Sequence, residues 1–232
     1  AGAECGIGFD GDGDRIGVID KTGRQVSGDL LTAFLSLDIL DRHKGAEILF
    51  DVKSSSTALD IVRRAGGKPQ LWRTGHSHMK KRLKELGAPL AGEMSGHIFI
   101  ADDFYGFDDA LYVACRFLSR ITHMKQKGNE SLTDFLDRLP PSFTTPECHI
   151  HCPDNEKFTA VERLSQQIGA EMPAEQMNLI DGVRLTTASG WCLIRASNTE
   201  PALVARAQGE NETALDEMIE FLRKQLRAAG IS

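Results

Sequence analysis

Apolar and polar positions change rhythm several times along this chain, and the changes mark its elements. Residues 5–9 alternate at the two-residue period of a strand, and 16–20 read as a second strand. A polar loop, 10–15, separates them, and Lys21-Thr22-Gly23-Arg24 reads as the polar tip of a hairpin. From 29 to 41 the period lengthens to that of a helix, carried by Leu30, Leu31, Phe34, Leu37, Ile39 and Leu40. Strands are predicted at 47–52, 69–73, 90–93 and 97–101, and helices at 56–65, 77–86 and 108–121. Gly66-Gly67 and Gly87 stop the first two of these helices. Residues 125–130 are polar and read as a loop. A short helix over 132–139 ends at Pro140-Pro141, since proline cannot continue a helix.

Strand–helix alternation of this kind predicts an α/β domain with a mixed sheet. Beyond residue 140 the rhythm differs. Strands at 147–152, 178–180, 183–187, 191–195 and 202–208 are accompanied by only two helices, 157–168 and 212–228. That pattern predicts a smaller α+β domain with an antiparallel sheet.

Composition narrows the function classes. The charge is −6, with basic residues spread along the chain, which is not the footprint of a nucleic-acid binder. No apolar run has the length of a membrane span, and no signal peptide opens the chain. Five cysteines in no dense framework fit a reducing, cytoplasmic setting. In Cys148-His149-Ile150-His151-Cys152 the two cysteines of an extended strand stand about 13 Å apart, too wide for one tetrahedral zinc. A strand and a charged motif close to Ala1 suggest a fragment that lacks earlier partners.

Four loops carry candidate chemistry. In Asp10-Gly11-Asp12-Gly13-Asp14-Arg15, glycines let three carboxylates converge, and such crowded like charges call for a cation. An oxygen-only set of this kind suits Mg²⁺, and Arg15 offers a fork to a phosphate. A calcium EF-hand is excluded, because its sixth and twelfth places hold Arg15 and Lys21. A haloacid-dehalogenase-like phosphatase remains an alternative, with Asp10 as nucleophile and Asp108-Asp109 as its distal acidic pair. Thr74-Gly75-His76-Ser77-His78 opens a helix, where free backbone amides attract anions. Gly92-Glu93-Met94-Ser95-Gly96-His97 sets an acceptor beside a donor, as neighbouring sugar hydroxyls require. Arg195-Ala196-Ser197-Asn198-Thr199-Glu200 gathers donors for a phosphate, with no acidic neighbour before Glu200. Lys53 ends a strand at the edge these loops share.

Four such loops in this order resemble the α-D-phosphohexomutase family, in its bacterial phosphomannomutase/phosphoglucomutase branch. The likeness runs from about residue 3 to the C-terminus. It implies a Mg²⁺-dependent phosphohexomutase that interconverts hexose 1-phosphate and hexose 6-phosphate, of mannose or glucose, through a phosphoserine and a bisphosphate intermediate. Residues 1–26 would be the tail of the family's second domain, 27–139 its third and 140–232 its fourth. Asp10, Asp12 and Asp14 would hold the metal. Arg15, Lys53 and His76 would be catalytic. Glu93, Ser95 and His97 would grip the sugar, and Arg195, Ser197, Asn198 and Thr199 a phosphate. The implied partners are a hexose phosphate and the missing N-terminal domains, with no nucleic acid and no membrane. The family's phosphoserine loop, Thr-Ala-Ser-His-Asn-Pro, has no counterpart here. Thr187-Ala188-Ser189-Gly190 lacks the His-Asn-Pro and reads as a turn, so this chain alone is expected to be inactive.

Overall fold

A computed structural model describes residues 2–231, which fall into two compact units, one ending at Pro140 and the other beginning at Pro141. The first opens with strands β1 (Cys5–Phe9), β2 (Ile16–Asp20) and β3 (Gln25–Val26), antiparallel in that order. The loop 10–15 is therefore itself the tip of the β1–β2 hairpin. The polar turn 21–24 joins β2 to a third strand that is too short to show a period in sequence. Ile16, Val18 and Val26 point inward, whereas Ile19 is exposed.

Helix α1 (Gly28–Arg42) leads into an alternating segment: β4 (Glu47–Asp51), α2 (Ser56–Arg64), β5 (Lys68–Trp72), α3 (His76–Leu86), β6 (Leu90–Gly92), β7 (Ile98–Ile100), α4 (Ala110–Gly128) and α5 (Leu132–Asp137). The sheet order is β5-β4-β6-β7, with β4 parallel to β5 and β6, and β7 antiparallel to β6. This is the expected mixed sheet. Its side chains alternate between two cores, as the strand period requires. Ile48, Phe50, Leu90, Ile98 and Ile100 pack toward α1, α2 and α4, while Leu49, Ala91 and Phe99 meet Met79 and Leu83 of α3.

Local chemistry sets the helix ends. Ser55 caps α2 by accepting the Ala58 amide, and Asp109 caps α4 by accepting the Tyr112 amide. Gly87 ends α3 in the left-handed conformation, and Asn129 ends α4 in the same way. The expected loop at 125–130 is corrected by this: α4 continues through the polar residues because Ile121 and Met124 keep its inner face buried.

The second unit contains β8 (Phe143–Thr144), β9 (Cys148–His151), α6 (Lys157–Glu171), β10 (Met177–Asn178), β11 (Val183–Thr186), β12 (Gly190–Ala196), β13 (Ala202–Gly209) and α7 (Glu212–Ala228). Its sheet is antiparallel throughout, in the order β10-β11-β12-β13-β8, with β9 also paired to β13. Val183, Leu185, Cys192, Ile194, Leu203 and Ala205 face Leu164 and Ile168 of α6 and Met218 and Leu222 of α7. Residues 187–189 turn between β11 and β12, with the Thr187 amide donating to the Gly190 carbonyl. Among the described residues no helix is long and apolar enough to cross a membrane.

Candidate sugar-phosphate site

Parallel strands β4, β5 and β6 all end at one edge of the sheet, where open α/β sheets carry their ligands. Lys53, the Thr74-Gly75 turn and the 93–97 loop follow those three ends directly. The acidic hairpin tip is tied to the same edge. Arg15 forms a bridge with His97, and the Ile16 amide donates to the Gly96 carbonyl at 3.2 Å. The Ala110 amide at the start of α4 donates to the Gly13 carbonyl at 3.1 Å.

Close backbone approaches make the 93–97 loop a fixed object. A Cβ on Gly28 would lie 2.2 Å from the Glu93 carbonyl, and one on Gly96 would lie 2.6 Å from the Ile16 carbonyl. Glu93 is buried, yet both its oxygens are used: Oε1 accepts the Gly75 amide at 2.7 Å and Oε2 accepts the Ser95 hydroxyl at 3.1 Å. Each oxygen keeps a further lone pair for a ligand hydroxyl. Gly75 has φ +124, a conformation that side chains disfavour, and this aims its amide at Glu93.

Asp10, Asp12 and Asp14 present carboxylate oxygens within 4.8 Å of one another. Arg15 Nε pairs with Asp10 at 2.6 Å, which holds the Asp10 carboxyl well below the usual range. Burial raises Asp14, with His97 opposing and the Asp12 and Asp10 charges adding to the rise. This crowding of like charge, with oxygen donors only, fits a hard divalent cation.

A second cluster joins Asp14, His97 and Asp108. His97 Nδ1 lies 3.1 Å from Asp108, Lys80 donates to Asp108 at 2.9 Å, and the His76 and His97 rings stack at 5.9 Å. Burial works to raise Asp108, but Lys80, a backbone amide and His97 together outweigh it and hold the carboxyl below its ordinary value. Sequence reasoning gave Asp108 a different role and missed two buried acids, Asp29 and Asp51. A lone acid at a helix start or strand end carries no signal until its long-range neighbours are known.

In the second unit Arg195 lies in β12, as the predicted strand over 191–195 has it, and the loop begins after Ala196. Arg195 is buried, and its Nε donates to Asp181 at 2.8 Å. The expectation of no acidic neighbour before Glu200 is thereby corrected, since Asp181 is brought in by strand pairing. Gly182 permits the approach: its Cβ would lie 2.7 Å from the Arg195 Cα. Buried Ser197 accepts the Glu200 amide at 3.2 Å, and Asn198 and Thr199 are exposed. Cys148 is exposed and Cys152 buried, both as free thiols.

A phosphoglucomutase/phosphomannomutase alpha/beta/alpha domain III family model matches residues 27–143, and the C-terminal domain model of the same proteins matches 147–225. A phosphomannomutase/phosphoglucomutase of Pseudomonas putida is 41% identical over 225 residues, which are 97% of this chain and 47% of the relative. A phosphoglucomutase/phosphomannomutase family protein of Burkholderia thailandensis superposes with a TM-score of 0.86 at 36% identity, covering 99% of this chain and 48% of that one. An Aspergillus fumigatus N-acetylphosphoglucosamine mutase, solved with GlcNAc-6P and magnesium, shares the fold at a TM-score of 0.61 and 16% identity. The chain thus spans about half the length of the curated relatives it matches, and the haloacid-dehalogenase alternative finds no support among them. Two adjoining matches, covering more than half of its residues, show that the chain belongs to the phosphoglucomutase/phosphomannomutase family.

Proposed function

We propose that this chain supplies the metal loop, the sugar-binding surface and a phosphate-binding loop of a phosphohexomutase that interconverts the 1- and 6-phosphates of mannose and glucose. The observation that carries the reading is the fastening of the acidic tip to the Glu93-bearing loop, through the Arg15–His97 bridge and the Ile16–Gly96 hydrogen bond. A cation site and a hydroxyl-binding site are thereby neighbours on one sheet edge.

Asp10, Asp12 and Asp14 would hold Mg²⁺, which supplies charge neutralisation for a transferring phosphoryl group. Arg15, half exposed, offers a guanidinium to that group. Lys53 and His76 hold or move a proton at the reacting oxygen. Glu93 accepts from a sugar hydroxyl, and Ser95 and His97 complete the grip. In the second unit Arg195, Ser197, Asn198 and Thr199 bind a phosphate through charged and neutral donors. The phosphoryl carrier is a phosphoserine that residues 1–232 do not contain, and transfer from it produces a hexose bisphosphate intermediate.

Incubation of the chain with mannose 1-phosphate and Mg²⁺ tests this. Binding without isomer or free phosphate is the expected result. Release of inorganic phosphate by the chain, or binding indifferent to Glu93→Ala, would sink the proposal.

A further inference from the structure

Asp51 ends β4 at the ligand edge of the sheet and is wholly buried. Its Oδ1 accepts the Ser54 hydroxyl at 2.7 Å and the Met94 amide at 3.4 Å. Its Oδ2 lies 3.9 Å from Lys53 Nζ and accepts no hydrogen bond. One carboxylate therefore touches both the lysine that follows β4 and the backbone of the loop that follows β6. Asp29 of α1 supports the same turn, because its Oδ2 accepts the Ser55 amide at 2.7 Å.

A buried carboxylate with an unused oxygen is costly unless its charge has a task, since burial without full pairing penalises the ionised form. Fastening the turn would need only Ser54 and one oxygen. The second oxygen faces the Lys53 ammonium group as a charge partner.

We propose that Asp51 is a positioning residue, whose buried negative charge sets the place of the Lys53 ammonium and steadies the sugar loop through the Met94 amide. This deepens the proposed mutase reading and rests on it for the roles of Lys53 and the loop. The groups that face Asp51 are Lys53 on its own turn, Glu93 beyond β6 and Asp29 on α1. Burial raises its carboxyl to about 6, Lys53 opposes the rise, and Glu93 and Asp29 add to it. Asp51 consequently changes charge in a range where most surface acids are already ionised.

Two readouts on the 232-residue chain test the assignment. The first needs no ligand: the ¹⁵N shift of the Met94 amide is followed from pH 5 to pH 8. It is expected to titrate with a midpoint near 6, and the step is expected to vanish in Asp51→Asn. The second is calorimetric binding of mannose 1-phosphate. Asp51→Asn is expected to bind roughly tenfold more weakly at pH 7.5, the size of a lost charge-assisted contact, with Asp51→Glu restoring part of it. A Met94 amide that does not titrate, or that titrates equally in Asp51→Asn, overturns the assignment. So does unchanged affinity in Asp51→Asn. A Met94 step abolished by Asp51→Asn, in a chain that binds no hexose phosphate, upholds the hold on the loop and overturns the mutase reading.

Discussion

The 93–97 loop of the first unit carries Glu93, Ser95 and His97, the 197–200 loop of the second carries Ser197, Asn198, Thr199 and Glu200, and the two are built differently. The first is clamped from beneath. Two glycines, Gly28 and Gly96, let backbones meet at distances that forbid a side chain, and the buried acids Glu93 and Asp51 tie it to β5–α3 and to β4. In the second, Arg195 is set in β12 against Asp181, buried Ser197 accepts the Thr199 and Glu200 amides, and Lys157 donates to the Glu200 carbonyl at 3.0 Å, while residues 198–200 are exposed. Neutral sugar hydroxyls differ only in direction, so a site that reads them must be fixed before they arrive. A phosphate accepts from any side, and exposed donors serve it. Under the proposed mutase reading that exposure is useful, because one loop has to accept the sugar in two orientations.

The contrast can be broken or sharpened by substitution. The largest effect is expected at the acidic tip: Asp12→Asn in the complete enzyme should cut turnover by about 10³-fold, the scale for removing one preorganised electrostatic group. A magnesium titration of the rate checks it, and an unchanged curve removes Asp12 from the ligand set. Next comes the clamp. Gly28→Ala forces a methyl into the Glu93 carbonyl and should destabilise the first unit by about 3 kcal/mol, measured by urea unfolding.

Asp51→Asn should do the opposite for stability while weakening ligand binding. Its carboxyl is raised in the folded state, so the acid favours folding most below its unfolded value, and that contribution is lost as pH rises through about 6. The neutral variant is therefore expected to gain about 2 kcal/mol at pH 8 and to match the parent near pH 4. Unfolding curves at the two pH values decide the point. The smallest effect belongs to the exposed 197–200 loop: Thr199→Ala should weaken phosphate binding by only about threefold, the worth of one neutral hydrogen bond at a solvated site. A loss as large as that of a Glu93 variant would erase the contrast.

Much of the fold was legible because periods and breakers act locally. The mixed sheet announced itself through strand–helix alternation, and the antiparallel sheet through strands with few helices between them. The two-residue strands β3 and β8 were not legible, since two residues show no alternation. At the candidate site, the loops stood out by composition, but their fastenings did not. Asp181 is 14 residues from Arg195, and Asp51 is 43 residues from Met94. Such partners are chosen by sheet pairing and crossover, and neither leaves a mark in spacing. The strand predicted over 191–195 holds Arg195 as its last residue, and β12 runs one residue further, to Ala196.

The pairing of Arg15 with Asp10 has a thermodynamic corollary. One carboxylate oxygen cannot fully serve a guanidinium and a divalent ion together. A cation drawn to Asp10 therefore sets the arginine at liberty, and an anion that captures the arginine leaves the carboxylate hungry for a cation. Under the proposed metal reading, each guest would raise the affinity for the other by the same factor, as reciprocity of coupled equilibria demands. Because the pair sits in water, added salt should erode that mutual help before it erodes either affinity alone.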